Sequence, residues 1–366
     1  MKVIDCLIKL KNELNLPYID VSCHKSHEEI CRYVLGDGAT GKEKLYMYSC
    51  GKVVTIVSAL RLVEDGRLDL DGRVCDYLPE IKNAFILDGK GEKVAVGETM
   101  TVRHLFTMTA GFTYNLYTNP VVDLVKQSDG KAVLREFISK FVETPLAFAP
   151  GERFEYSLCH DVLAAVVEVV SGKKFSTYVK EAIFNPLEMN SSGFDNDETN
   201  MADVYIASED GKLNKIKEEN VLLPTKLYES GGAGLISTVD DYAIFADALA
   251  NGGVAKNGYR VLKAETIELM TTEQVKKLSV NSGFTCIQGD DVYGYGLGVR
   301  VRQTATDWGL GKGEFGWDGA ACSYVMIDAE KEVSVFIGMH IRNWPFVFKG
   351  KHLEIVKAIY EEFINK

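Results

Sequence analysis

Between residues 53 and 63 the chain is almost wholly apolar, broken only by Thr55, Ser58 and Arg61, and the run stops at Glu64-Asp65-Gly66. A helix that is apolar on every side belongs in a core, and Gly66 supplies its C-terminal stop. Elsewhere the pattern changes. Residues 1–11 carry charges at 2, 5, 9 and 11 among apolar positions and read as an amphipathic helix. Residues 18–24 and 29–35 read as short strands, followed by a Gly-rich loop over 36–41. Near the other end, residues 322–328 and 333–340 alternate like paired strands around the turn Ala329-Glu330-Lys331-Glu332, and a last helix spans 350–364. Helical periodicity marks 101–107, 131–141, 161–171, 175–183 and 238–249. Strands at both ends with helices between them predict an α/β chain of the α+β type. One antiparallel sheet, built from both termini and flanked by helices, would occupy residues 1–85 and 220–366. Residues 86–219 would form an inserted, mostly helical region. Neither an internal repeat nor a low-complexity segment interrupts this layout.

The apolar helix has an odd beginning. Ser49-Cys50-Gly51-Lys52 places a lysine in its first turn, three residues after a serine. Positions i and i+3 share a helix face, so the two side chains point the same way. A serine hydroxyl is a poor nucleophile until a neighbouring base takes its proton. A desolvated lysine, its pKa lowered, can be that base. Ser-x-x-Lys occurs four times, starting at Ser22, Ser49, Ser128 and Ser171, but only Ser49 opens a buried helix. Cys50 offers a thiol beside Ser49, but one residue along a helix points about 100° away.

Bulk composition narrows the field. Apolar residues are 46% and charged residues 25% of 366, an ordinary globular balance that supplies a sizeable core. The net charge of −11, with no compensating basic cluster, argues against nucleic acid and anionic membranes as partners. No apolar run approaches the length of a membrane span, and the charged N-terminus lacks a signal-peptide core. Eight cysteines without a Cys-x-x-Cys pair read as reduced thiols of a cytoplasmic protein. Six histidines form no metal-binding spacing, so neither a metal nor another cofactor is expected. The Gly231-Gly232-Ala233-Gly234 run lacks the Lys-Ser/Thr ending of a phosphate loop.

Several further segments occur in a telling order. Residues 62–71 (Leu-Val-Glu-Asp-Gly-Arg-Leu-Asp-Leu-Asp) and Tyr77-Leu78-Pro79-Glu80 follow the serine helix. Next come Thr101-Val102-Arg103-His104-Leu105-Phe106-Thr107-Met108-Thr109-Ala110-Gly111 and Pro150-Gly151-Glu152-Arg153-Phe154-Glu155-Tyr156-Ser157. Ser230-Gly231-Gly232-Ala233-Gly234, Tyr293-Gly294-Tyr295-Gly296-Leu297-Gly298 and Gly316-Trp317-Asp318-Gly319-Ala320-Ala321 complete the series. Taken in order over nearly the whole chain, they resemble the β-lactamase-related serine hydrolases, the superfamily of class C β-lactamases, DD-peptidases, D-aminopeptidases and lactamase-like esterases. Met108 and Ala110 depart from its pattern. The resemblance implies the β-lactamase/transpeptidase-like fold, with an active site between the α/β part and the helical part. It implies Ser49 as the acyl-forming nucleophile, Lys52 as its base, and Tyr156 as a phenol that loses its proton readily and relays it. It also implies an oxyanion hole from the backbone N–H groups of Ser49 and Ala320, the latter on an edge strand beginning at Trp317, with Gly319 letting the backbone approach substrate. Tyr117-Thr118-Asn119 fits a Tyr-x-Asn pattern on paper, but it lies in a polar loop.

The departures bear on substrate. Trp317-Asp318-Gly319 stands where lactamases and DD-peptidases usually have Lys-Thr-Gly or His-x-Gly, so a cation that holds a substrate carboxylate is missing and Asp318 adds negative charge. Leu158 stands where the Tyr-x-Asn form has an asparagine. His160 follows as a rim residue. Trp317 and the Tyr-Ser-x-x-x-Asp-Val-Leu segment look like the esterase branch. The expected activity is hydrolysis of small neutral esters. The alternatives are amide hydrolysis and a non-catalytic, ligand-sensing role. The partner is then a small-molecule ester or amide.

Overall fold

The computed structural model describes residues 1–195, 197–217, 220–275, 279–280, 292–343 and 350–366. At its centre is a seven-stranded sheet. Strands β1 (Tyr18–Lys25) and β2 (Glu28–Gly36) come from the start of the chain. Strands β3 (Tyr293–Tyr295), β4 (Arg300–Arg302), β5 (Phe315–Asp318), β6 (Tyr324–Asp328) and β7 (Val333–Gly338) come from its end. Their order is β3-β4-β5-β6-β7-β1-β2, antiparallel throughout. The two ends of the chain meet where β1 pairs with β7, Val21 facing Ile337.

Period-two alternation decides what each face of the sheet covers. On β6, Tyr324 and Met326 point to one face, into a core shared with helices α1 (Val3–Glu13) and α6 (His352–Ile359). Val325 and Ile327 point to the other, into a larger core that continues through the helices between the strands. There α5 (Val239–Ala250) lies across β7, β1 and β6. Behind it, α2 (Gly51–Glu64) packs on α4 (Cys159–Ser171), which in turn packs on α3 (Val102–Phe106). Every residue of α2 from Gly51 to Leu60 is buried, which is why its sequence is apolar all round. Each large aliphatic side chain buried this way stabilises the fold by about 1.5–3 kcal/mol.

Five elements differ from the expectation. Helices at Asn119–Gln127 and Ala264–Thr271 occupy stretches in which the sequence marked no element. Strands β3 and β4 are only three residues each, too short for a periodic signal. The strand expected to begin at Trp317 begins at Phe315 and lies between β4 and β6 rather than at an edge. Its pairing with β4 stops at Phe315↔Val301 and Gly316↔Arg300, so Trp317 and Asp318 run on past β4, laddered among the described residues to β6 alone. Among the described residues no helix is long and apolar enough to cross a membrane. The seven described cysteines are buried and free; Cys286 lies outside the described residues.

Candidate active site

Ser49 sits in a 3-10 turn, Tyr48–Cys50, that feeds directly into α2. Tyr48 holds φ at 45°, a left-handed conformation for a bulky residue. Such backbone costs about 1–3 kcal/mol and collects at functional sites. Ser49 stays 8% exposed, whereas Lys52, one turn on, is completely buried. The Lys52 Nζ lies 3.2 Å from Ser49 Oγ and 3.3 Å from the Tyr114 hydroxyl, and donates to the Gly232 carbonyl. It also lies over the Tyr156 ring, 4.7 Å from the centroid. Burial pulls the Lys52 pKa down to about 7, against the opposing pull of Asp161, Cys50 and Cys159. A substantial fraction of the amine is therefore neutral at physiological pH, able to accept the Ser49 proton.

Asp161 is the carboxylate that the sequence around Lys52 does not reveal. It projects from α4, accepting from Ser230 Oγ at 2.5 Å and Tyr228 OH at 3.0 Å. Burial raises its own pKa, while Ser230, Lys52 and Tyr228 oppose the rise. Ser230 Oγ also accepts from the N–H groups of Gly232 and Ala233, fixing the Gly-rich turn whose Gly232 carbonyl faces Lys52.

Tyr156 joins this cluster. Its hydroxyl accepts from Trp317 Nε1 at 3.2 Å and hydrogen-bonds to Ser49. Its ring stacks between Trp317, 5.6 Å away, and Tyr114, 5.7 Å away. Burial drives its pKa up, and the bonds to Ser49 and Trp317 only partly offset that. The phenol is thus held protonated at neutral pH, in contrast to the easily ionised phenol expected from sequence. Tyr114, which no sequence motif singled out, is the second phenol at the lysine. Tyr117 is 78% exposed and stands apart from the cluster.

The turn after β5 comes up against the segment that precedes Ser49. Gly319 N–H donates to the Ser323 carbonyl, and Ser323 Oγ donates to the Met47 carbonyl. A Cβ on Gly319 would fall 2.5 Å from the Met47 oxygen, so only glycine permits this approach. The N–H of half-buried Ala320 makes no backbone bond among the described residues. The N–H of Ser49 belongs to the opening turn of a helix, where donors lack intrahelical partners and the dipole favours negative charge.

Other candidates are placed elsewhere. Asp318 points to the opposite face of the sheet from Trp317, buried and paired with Arg300 at 3.4 Å rather than presented beside Trp317. Leu158 caps α4 and faces a small cavity walled by Phe112, Thr113 and Phe141. His160 is not at a rim: it is wholly buried, its Nε2 3.3 Å from the Phe106 carbonyl, and burial pushes its pKa down to about 3. Cys50 is buried with its Sγ 3.7 Å from the Trp317 carbonyl and its pKa raised to about 12, no thiolate nucleophile. Of the other Ser-x-x-Lys serines, Ser22 lies in β1, Ser128 caps a helix and Ser171 ends α4. Among the described residues no group of three His, Cys, Asp or Glu side chains could hold a metal.

A buried lysine against a serine at a helix start, backed by an antiparallel sheet, defines a β-lactamase-type fold. Residues 34–358 match the family described as Beta-lactamase, and the chain belongs to that family. Esterase EstB of Burkholderia gladioli is 32% identical over 232 residues, covering 56% of this chain and 57% of EstB. Protein Rv1367c of Mycobacterium tuberculosis is 26% identical over 302 residues, covering 78% of this chain and 74% of that protein. Among solved structures, EstCE1, described as a hydrolase with promiscuous acyltransferase activity, superposes with a TM-score of 0.79 at 22% identity, over 98% of this chain and 97% of its own.

Proposed function

We propose that this protein is a serine hydrolase working through an acyl-enzyme on Ser49, and that its substrates are small neutral carboxylic esters. The observation that carries the reading is the buried Lys52 amine, 3.2 Å from Ser49 Oγ and with a pKa near neutrality. Neutral Lys52 takes the Ser49 proton as Oγ bonds to the ester carbon. The carbonyl electron pair moves onto oxygen, where the N–H groups of Ser49 and Ala320 stabilise it. When the tetrahedral intermediate collapses, the alkoxide leaves with the proton of Tyr156, and the Lys52 ammonium reprotonates that phenol. Water then enters by the reverse path and frees the acid. Tyr114, the Gly232 carbonyl and Asp161 stabilise the transient ammonium.

The ester preference has two supports. Trp317 presents an indole, its N–H engaged by Tyr156, where an amide hydrolase of this superfamily usually carries a cation for a substrate carboxylate. EstB is named an esterase and EstCE1 a hydrolase. The test is mass spectrometry after incubation with a fluorophosphonate, paired with Ser49→Ala. A single adduct on Ser49, with p-nitrophenyl butyrate turnover abolished in a variant of unchanged Tm, is the expected outcome. An adduct elsewhere, or an active Ser49→Ala protein, would refute the assignment.

A further inference from the structure

We propose that the buried Arg300–Asp318 pair is a positioning device for this site, fixing the free end of β5 and with it the Trp317 indole and the Ala320 N–H. This role rests on the serine-hydrolase reading above. Its starting point is the break in the ladder: β4 pairs with β5 only as far as Arg300↔Gly316. The two residues beyond, Trp317 and Asp318, have no ladder partner on that side among the described residues, although Trp317 contacts Tyr156 and Ala320 follows two residues after Asp318.

Arg300 supplies what the ladder lacks. From β4 its guanidinium crosses β5 at Gly316 and reaches β6, with Nη2 donating to the Val325 carbonyl at 2.9 Å and to Glu314 at 3.2 Å. Nη1 donates to Asp318 Oδ1 at 3.4 Å. The passage exists because position 316 has no side chain: a Cβ there would meet the Val325 oxygen at 2.0 Å and Nη2 at 3.4 Å. The guanidinium also lies 4.5 Å from the centre of the Tyr324 ring. Arg302 approaches Glu314 at 3.4 Å, so two cations and two carboxylates are buried together. Buried ion pairs are expensive, and apolar replacements of similar shape often match or exceed their stability. Such a cluster on the strand that carries Trp317 is poorly explained by stability alone. Because successive strand residues point to opposite faces, a tether on Asp318 sets the strand rotation that aims Trp317 at Tyr156 and the following turn at Ser49. Oxyanion donors act only within a few tenths of an ångström of their working position.

The test is Asp318→Asn, which keeps the shape and the acceptor but removes the charge. With p-nitrophenyl butyrate, kcat should fall about tenfold while KM moves less than twofold, since the aim concerns the transition state. Phenylboronic acid, whose tetrahedral Ser49 adduct places an oxygen at the same donors, should bind about tenfold more weakly, in step with kcat. Tm should move by only a few degrees, and Asp318→Ser, with its shorter reach, should lose more activity.

The pH profile separates this role from simple folding. Burial pushes the Asp318 carboxyl up to about 6, with Arg300 opposing and Glu314 reinforcing. The groups facing it are Arg300, Glu314, Cys50, Cys322 and Tyr324, of which the two thiols and the phenol are kept neutral by burial. Above pH 6 the pair is charged; below it Asp318 takes a proton and the tether weakens. Wild-type kcat/KM should thus show a fall centred near pH 6 in addition to the Lys52 titration near 7, and Asp318→Asn should show only the latter. A wild-type enzyme labelled on Ser49, beside an Asp318→Asn protein with unchanged kcat and boronate affinity, overturns the positioning role alone. A loss of rate matched by an equal loss of fluorophosphonate-titratable sites also overturns it. Failure of wild-type Ser49 to label overturns the hydrolase reading, and the positioning role with it.

Discussion

Lys52, the base of the proposed mechanism, works against the fold. Its pKa is drawn from 10.5 to about 7 by burial, so the folded protein binds fewer protons than the unfolded chain between those values. Stability therefore rises with pH across that window. Full desolvation is felt at and below pH 7, where it amounts to a few kcal/mol, on the order of 1.4 kcal/mol for each pKa unit. Lys52→Met should accordingly raise Tm most at pH 6–7 and lose that advantage by about pH 10, as thermal melts across pH will show; a constant or inverted difference would contradict the burial account. The same variant should be inactive. In the wild-type enzyme kcat/KM should climb as Lys52 loses its proton near pH 7. In the proposed mechanism the two phenols divide the remaining work. Tyr156→Phe removes the proposed leaving-group donor and should lower kcat by about 10² or more. Tyr114→Phe removes one hydrogen bond to the lysine and should lower it by about tenfold, while Tyr117→Phe, at an exposed position, should leave it unchanged. Steady-state kinetics on the three variants checks the order. The serine and lysine were legible in the sequence because a helix puts i and i+3 on one face. Tyr114 and Asp161 were not, since they reach Lys52 through space from segments 62 and 109 residues away, and no local pattern encodes that approach.

At the scale of elements, the site is a junction between one helix start and one strand end. The apolar α2 was plain in the sequence because it is buried on all sides, and the hairpin β6–β7 because its alternation matches the two faces of a covered sheet. The helix Asn119–Gln127 carried a readable signal, proline in its first turn, yet lay among polar residues that read as loop. The extent of β5 was misjudged since its first residues, Phe315-Gly316, look like a turn without the knowledge that Arg300 crosses there. What joins strand end to helix start is Gly319. In Gly319→Ala the new methyl would meet the Met47 carbonyl at 2.5 Å and Ser323 Oγ at 2.1 Å. Backbone on one side cannot swing aside as a long side chain does, so the turn must lift away from Ser49. The expected result is a loss of about 10² in kcat, the scale of one oxyanion donor, together with a lowered Tm. Gly89→Ala, in open space on an exposed turn, serves as the comparison and should keep its rate; equal rates in both variants would show that the close approach does not matter for turnover.

For the whole molecule the question is which substrates this arrangement admits. Of the three departures that pointed to esters in the sequence, two lose their force. Asp318 is neutralised on the far side of the sheet, and Leu158 faces another cavity. Trp317 remains, together with a molecular charge of −11 whose field opposes anionic ligands. One missing charge-assisted contact is worth about 1–2 kcal/mol, so the discrimination should be about tenfold. Measured at low salt, kcat/KM for p-nitrophenyl butyrate should exceed that for nitrocefin, which carries a carboxylate, by at least this factor. Added salt should narrow the gap, because screening weakens repulsion of the anion and leaves the neutral ester unaffected. Trp317→Lys restores a cation at that position but breaks the bond to Tyr156, so both rates should drop while their ratio shifts toward nitrocefin. Nitrocefin turnover that matches the esterase rate in the unmodified protein, with no response to salt, would place this chain with the amide hydrolases of its family instead.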